Sequence, residues 1–425
     1  ELELAALDCR ALDLNDAQML ERVGQIKPDV LYVGDILHTT GGLAVVWIYN
    51  EAARKVKEKY PHIKTVVGGI FYASASEFTM KENPHLDFCI AGEAEATLSD
   101  LMKEIAKSGP DFSTVKGICW RQGGQITLNA YRPLIQDLDT LPMPAYDLFP
   151  MDVYVSHTYW KNYSETWNSR GCPAACTFCY EWGQFDPRGN QDLKNYRYRS
   201  GKKVVDEMQI LYEKHGTRVI VMMDDTYNVH RKRVEETIEE CLRRDNKMKW
   251  MPLGRAPYFI RDMDLFKDLR KAGCFMCLVG LEVASDEELR KIKKGITVEQ
   301  VKETVAKLRE AGIATVLTWM VGFEDDDEEK IKARFAAVDE VDPDIIALQF
   351  LTPIPGSPIW DEVSKKGLLR FEDLNKKIRQ WDFHQPILPT NHLTIPQLAD
   401  LGSWAFREFY SKPGRLSRAM HNRNY

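Results

Sequence analysis

The 425-residue chain is 44% hydrophobic and 28% charged, which excludes a disordered or fibrous protein and leaves room for more than one cored domain. A net charge of −6 argues against a nucleic-acid partner. The longest purely apolar run, LAVVWIY (Leu43–Tyr49), is far shorter than the roughly 18–20 residues of a membrane span.

No signal peptide is recognisable. The chain starts on Glu1 rather than Met, inside ELELAALDC, which reads as a strand, so the natural protein is expected to begin earlier. Residues 1–105 then alternate strand and helix. PDVLYVGDI reads as a buried strand, AVVWIYNEAARKVKEKY as an amphipathic helix and HIKTVVGGIF as a second strand, followed by a Ser-rich turn and a helix. LDFCIAGE is a third strand, and ATLSDLMKEIAKS is the closing helix. This alternation predicts a doubly wound, Rossmann-like α/β domain that takes ligands at the carboxyl ends of its strands.

Residues 106–160 read as a hairpin around a Gly-Gly turn (VKGICWRQGGQITLN) and a Pro-rich linker, LPMPAYDLFP. From about residue 161 to 354 a second alternation runs through SETWNSRG, TRVIVMMDD, MKWMPLGRA, CFMCLVGLE, IATVLTWMVGF and DIIALQFLTP. It predicts a partial barrel of six strand–helix units. Residues 355–425 read as a mostly helical extension. Its tail, KPGRLSRAMHNRNY, has Lys and Arg but no acid, and reads as a solvated tail or as a docking segment for an acidic partner. The acidic run EDDDEEK (Glu324–Lys330) reads as the charged start of a helix.

Six of the nine cysteines (Cys9, Cys89, Cys119, Cys241, Cys274 and Cys277) are scattered in apolar or helical contexts. That pattern suits a reducing, cytoplasmic setting. Cys274 and Cys277 lie three apart in a strand-like stretch, where the pleat is expected to send them to opposite faces of the core. The other three stand together in SRGCPAACTFCY: Cys172, Cys176 and Cys179. A disulfide leaves one thiol over, and structural zinc wants four ligands, usually as two pairs. The remaining reading is an iron–sulfur cluster, which ordinarily takes four thiolates; three would leave one iron open to bind something.

Cys172, Cys176 and Cys179, with Phe178 just before the third, resemble the signature of the radical S-adenosylmethionine (SAM) enzymes. The resemblance implies a 4Fe–4S cluster whose open iron chelates SAM and whose electron cleaves it to a 5′-deoxyadenosyl radical. It also implies SAM contacts at Phe178, Asp224, Asp225, Arg255, Glu282 in GLEVAS and Gly322 in MVGFEDD. VVGGIF and IAGEAEATLSDLM resemble the cobalamin-binding domain of the cobalamin-dependent branch. That resemblance implies corrin contacts at Gly68, Gly69, Gly92, Glu93 and Thr97. DILHTTGG (Asp35–Gly42) comes near the motif that ligates cobalt through histidine, but its spacing is one residue too long. The expectation is base-off cobalamin with no histidine ligand, and His38, Thr39 and Thr40 beneath the corrin. The branch normally opens with a further strand and helix that are missing here.

Within the branch, CYEW, NYRYRSGKKVVDEM, GITVEQ, TPIPGSPIW and TIPQL resemble two groups. One is the anaerobic magnesium-protoporphyrin IX monomethyl ester cyclase. The other is the methanogen glutamine C-methyltransferase of methyl-coenzyme M reductase. The aromatic linker and basic tail favour the latter, with a protein or peptide substrate and a porphyrin as the alternative. Methylation of an unactivated carbon would use methylcobalamin, a second SAM and a one-electron reductant. A cobalamin sensor would leave the three cysteines unexplained. A tRNA methylthiotransferase would need three more clustered cysteines and a basic module.

Overall fold

The computed structural model describes residues 2–35, 44–154, 160–183, 196–370, 373 and 381–421. The first domain comprises α1 (Asp16–Ile26), β1 (Val30–Asp35), α2 (Ala44–Lys59), β2 (Lys64–Gly69), α3 (Ile70–Ser74), α4 (Ser76–Glu82), β3 (Phe88–Ile90), α5 (Ala94–Ile105), β4 (Ile118–Gln122) and β5 (Gln125–Leu128). β1, β2 and β3 pair in parallel, and β4 and β5 extend the same sheet antiparallel, in the order β1-β2-β3-β4-β5. Val67 and Cys89 face α2–α4 on one side, while Val66, Phe88 and Ile90 face α5 on the other. Both faces are covered, which explains the near-continuous apolar runs of these strands.

Three expectations change here. The hairpin of residues 118–128 is no linker: Cys119 lies opposite Cys89 in the ladder, so the first domain's sheet runs to Leu128. Residues 2–8 form no strand, and Leu2 and Leu4 are exposed. The Ser-rich stretch after β2 is helical rather than a turn, because it starts directly from Gly69 and buries Phe71, Tyr72 and Ala73.

The second unit holds β6 (Tyr163–Thr166), β7 (Ser169–Arg170), β8 (Arg197–Tyr198), α6 (Gly201–His215), β9 (Val219–Met222), α7 (Arg231–Arg243), β10 (Lys249–Gly254), α8 (Ala256–Arg261) and α9 (Phe266–Lys271). It continues through β11 (Met276–Glu282), α10 (Asp286–Lys291), α11 (Val298–Glu310), β12 (Ala314–Val321), α12 (Glu328–Val341) and β13 (Ile345–Phe350). Six strands lie side by side in the order β13-β12-β11-β10-β9-β6, all parallel. Among the described residues β6 and β13 remain edges, so the barrel is partial, as the sequence predicts. Its helices start on side-chain caps that the sequence carries: Ser200 for α6, Thr297 with Gln300 for α11 and Asp327 for α12.

Cys274 and Cys277 do not point to opposite faces. Their sulfurs are 3.7 Å apart, fully buried in the barrel core. β11 begins only at Met276, so the pleat alternation does not reach Cys274.

After β13 come α13 (Pro358–Lys365), α14 (Ile395–Ser411) and α15 (Arg415–His421). α14 packs Leu398, Ala405 and Phe409 into the barrel core. Ile354, Trp360, Val363, Leu369 and Trp381 share one apolar cluster with Val67, Phe71, Tyr72 and Cys89 of the first domain. The C-terminal segment is therefore packed against both units. In the described part of the basic tail the cations are paired within the chain: Lys412 and Arg415 with Asp339, and Arg418 with Asp342 at 2.5 Å. No helix among the described residues is long and apolar enough to cross a membrane.

Trp381 is fully buried beside Trp360 in the shared cluster. Trp381→Ala is expected to cost about 3–5 kcal/mol, read as a lower urea midpoint.

Candidate active site

The segment carrying the three cysteines has no regular ladder of its own between Gly171 and Cys179. Its backbone groups must therefore find partners elsewhere. At the carboxyl end of β9, Asp224 accepts hydrogen bonds from the amides of Asn168 (2.5 Å) and Ser169 (2.9 Å). Its other oxygen pairs with Arg233 at 2.8 Å, both side chains being fully buried. Asp225 accepts from the Gly171 amide and the Tyr180 hydroxyl, each at 2.8 Å. Further along, the Thr177 amide donates to the Ile292 carbonyl, and the Thr177 carbonyl accepts from the Ile359 amide, each at 3.0 Å. The loop is thus held by β9, by the turn after α10 and by the start of α13. Burial, then the Asp225 charge, push the Glu181 carboxyl well above the usual carboxylate range, and burial raises Asp225 as well.

Within that frame Cys172 and Cys176 are buried and Cys179 is half-buried. The Cys172 sulfur lies 3.2 Å from the Thr226 hydroxyl, and the Cys176 sulfur 3.8 Å from the Arg255 guanidinium. Burial pushes up the thiols of Cys172 and Cys179, and nearby Cys176 adds to both shifts. Phe178, also half-buried, packs on the barrel core.

A charged group sits beside this loop. Glu282 ends β11 just beyond a register shift at Gly280 and adopts φ +72°, a conformation that a residue with a Cβ rarely takes. Its carboxylate accepts from Lys294 Nζ at 2.6 Å and from the Thr318 hydroxyl at 3.1 Å. A Cβ on Gly280 would stand 2.4 Å from that carboxylate and 2.6 Å from the ammonium, so a side chain there would displace the ion pair. Arg255 donates to the Lys294 carbonyl and thereby ties the pair to Cys176. Lys294 and Gly280 escape a motif search; the one sequence signal is the KKG before GIT, where Gly295 takes φ +67°.

The remaining expected positions divide. Gly322 takes φ +96°, and its amide donates to Asp326, which pairs with buried Arg334. Asp326 of the acidic run is thus a buried strut, while Asp327 caps α12. Gly92 takes φ +111° with open space where a Cβ would stand, and Gly69 takes φ +131°. The space over Gly68 is occupied by the Tyr32 ring, whose hydroxyl would be 2.9 Å from an added Cβ. Glu93 meets Arg170 and Arg197, both at 2.7 Å. Thr97 is fully buried and accepts from Arg132. For Glu93 and Thr97, as for Asp224 and Asp225, the oxygens expected to meet a ligand already hold protein groups. Thr39, Thr40 and His38 lie outside the described residues.

The sequence matches the Radical SAM superfamily over residues 169–335 and the B12 binding domain over residues 2–102. Together the two matches give the chain the radical SAM and B12-binding domains that cobalamin-dependent radical SAM enzymes combine. An uncharacterized methyltransferase of Pyrococcus horikoshii, PH0819, is 27% identical over 97% of this chain and 85% of that protein. The anaerobic magnesium-protoporphyrin IX monomethyl ester cyclase of Rubrivivax gelatinosus is 28% identical over 95% of this chain and 70% of that protein. The fold is that of the radical SAM methyltransferase TsrM from Kitasatospora setae in its complex with cobalamin and a [4Fe-4S] cluster. The TM-score is 0.70 at 18% identity, over 86% of this chain and 72% of that one.

The radical SAM domain implies a 4Fe–4S cluster and SAM, and the B12-binding domain implies cobalamin; the three clustered cysteines are the donor type a cluster takes. Among the described residues no three His, Cys, Asp or Glu side chains converge tightly enough for a single metal ion, which needs every donor within about 2.0–2.3 Å. A cluster spreads its thiolates over separate irons, and three thiols near enough to affect one another's acidity meet that demand.

Replacing Cys172, Cys176 or Cys179 with Ala should abolish the iron content and visible absorbance of anaerobically prepared protein. Cys274→Ala should keep both and lose only stability. Asp224→Ala strands the buried Arg233 charge, at an expected cost of about 3–5 kcal/mol in urea unfolding.

Proposed function

We propose that the protein is a C-methyltransferase acting on an unactivated sp3 carbon. What supports this reading is the contact between the two units. The turn that opens at Gly92 grips, through Glu93, the strand that leads into Cys172. Ligands at the two sites would therefore border one space.

When bound, the cluster with SAM supplies hydrogen-atom abstraction, and the corrin supplies methyl delivery to a carbon without a lone pair. In this reading Cys172, Cys176 and Cys179 hold three irons. Arg255 places a cation beside the Cys176 sulfur. The Glu282–Lys294 pair would offer complementary charges to the ammonium and carboxylate of SAM, and Gly322 and Phe178 are the positions assigned to its adenosyl end. Asp224 and Asp225 hold the loop rather than the ligand. Gly69 and Gly92 leave the corrin room, and the corrin is bound base-off, with no imidazole on cobalt.

The domain assignment that accompanies this reading gives residues 1–128 to cobalamin, 161–354 to the barrel and 355–425 to the extension. The substrate is a peptide or protein, with a glutamine of methyl-coenzyme M reductase as the specific candidate. Support now comes from exposed Leu148, Phe149 and Val153 in the segment before the barrel, since the basic tail is paired within the chain. A one-electron reductant and a reducing, cytoplasmic setting complete the proposal; among the described residues no two cysteines are joined by a disulfide.

Similarity to the cyclases over nearly the whole chain keeps magnesium-protoporphyrin IX monomethyl ester as the second candidate substrate. Anaerobic turnover with methyl-deuterated SAM separates the two readings. Methyl transfer should give a product with an intact labelled methyl group, and S-adenosylhomocysteine and 5′-deoxyadenosine in equal amounts. A porphyrin carrying solvent oxygen, with 5′-deoxyadenosine but no matching S-adenosylhomocysteine, would assign the cyclase activity instead.

A further inference from the structure

Glu93 begins α5, where a carboxylate would ordinarily cap the helix amides. Its side chain makes no such cap. One oxygen accepts from Arg170 Nη1 and Arg197 Nη1, each at 2.7 Å, and the other accepts from the Ile135 amide at 2.6 Å. Glu93 and Arg197 are shielded from water, with 11% and 4% of their side chains exposed, and Arg170 is half-buried at 28%. Arg197 also donates to the Ile135 carbonyl at 2.8 Å, and Glu95 takes a second nitrogen of Arg170. One carboxylate thus joins the first domain, the connecting segment and both strands of the β7–β8 pair, in which Arg170 lies opposite Arg197.

The two ends of this junction are what matter. On one side, Gly92 is the open position of the β3–α5 turn. On the other, Arg170 stands two residues before Cys172, with only Gly171 between them, and the Gly171 amide is held by Asp225. Charge-assisted hydrogen bonds in a shielded site are short, directional and costly to stretch. A shift of the turn is therefore transmitted to the start of the cysteine loop instead of being absorbed by solvent.

We propose that Glu93 is a positioning residue, whose bonds to Arg170 and Arg197 set the distance between the corrin and the cluster. The inference rests on the two-cofactor reading of the site. It assigns Glu93 a role through the arginines and no contact with either cofactor.

The test uses the full chain loaded with cobalamin and cluster, comparing the parent protein with Glu93→Gln and Arg170→Gln. With Co(II) and the reduced cluster both paramagnetic, their spin–spin interaction in electron paramagnetic resonance reports their separation without turnover. Both variants should retain full cobalt and iron yet show an altered interaction. In turnover they should release 5′-deoxyadenosine severalfold in excess of S-adenosylhomocysteine, because hydrogen abstraction is no longer matched to methyl delivery. An unchanged interaction and an unchanged product ratio in both variants, even with lowered stability, would reduce Glu93 to domain adhesive and overturn the proposal. If Glu93→Gln does not fold, Arg170→Gln breaks the contact from the other side and decides alone. A parent protein that binds no cobalt or no cluster would instead overturn the two-cofactor reading, before any variant is compared.

Discussion

Between Gly171 and Cys179 the segment with the three thiols forms no helix or strand, so its backbone has to be held from outside. Asp224 and Asp225 meet this constraint at the end of β9 by taking the amides of Asn168, Ser169 and Gly171. The Ile292 carbonyl and the Ile359 amide hold the middle of the loop through Thr177. These partners come from three distant parts of the chain, so the loop acquires its shape only once the barrel and the C-terminal segment are in place. The buried Arg233 beneath Asp224 makes the arrangement stiff, because removing either charge leaves the other unpaired in a dry interior.

The same dependence extends to the first domain. Apolar packing around Trp360 and Trp381 fixes its approach to the barrel, and packing of this kind tolerates small slides. The carboxylate of Glu93 does not, since its three partners each require a particular direction. The molecule thus combines a broad non-directional contact with a narrow directional one. The directional contact lies beside the glycine edge of one sheet and the cysteine loop of the other.

Several residues were legible by type but not by role. The three clustered cysteines, Gly69 and Gly92 could be picked out by type, because a thiol and a missing Cβ are features of the residue itself, whereas the space over Gly68 is filled by Tyr32. The roles of Asp224, Asp225, Glu93 and Thr97 could not be read, because an oxygen at a strand end serves a ligand, a loop amide or an arginine equally well. Lys294 and Gly280 were invisible for the opposite reason. A lysine in KKG looks solvent-facing, and only the bulge that turns Glu282 inward brings its ammonium within 2.6 Å of that carboxylate. Cys274 and Cys277 converge because the strand starts two residues later than the apolar pattern suggests.

Outside residues 2–8 and the helical stretch after Gly69, most elements were legible in the sequence alone: alternating apolar runs, helix caps and glycine turns are local signals whose physics acts within a few residues. The parallel half-barrel, the three-thiol loop and the glycine edge of the first domain follow from those signals. Tertiary structure decided what local signals cannot carry. It added the 118–128 hairpin to the first sheet, because hydrogen bonds between strands are made across space with whichever edge is available. It paired the basic tail with Asp339 and Asp342, and it turned Glu93 from a ligand contact into a junction. A charged side chain near a domain boundary settles on the counter-charge nearest in three dimensions, and that distance exists only after the chain has folded.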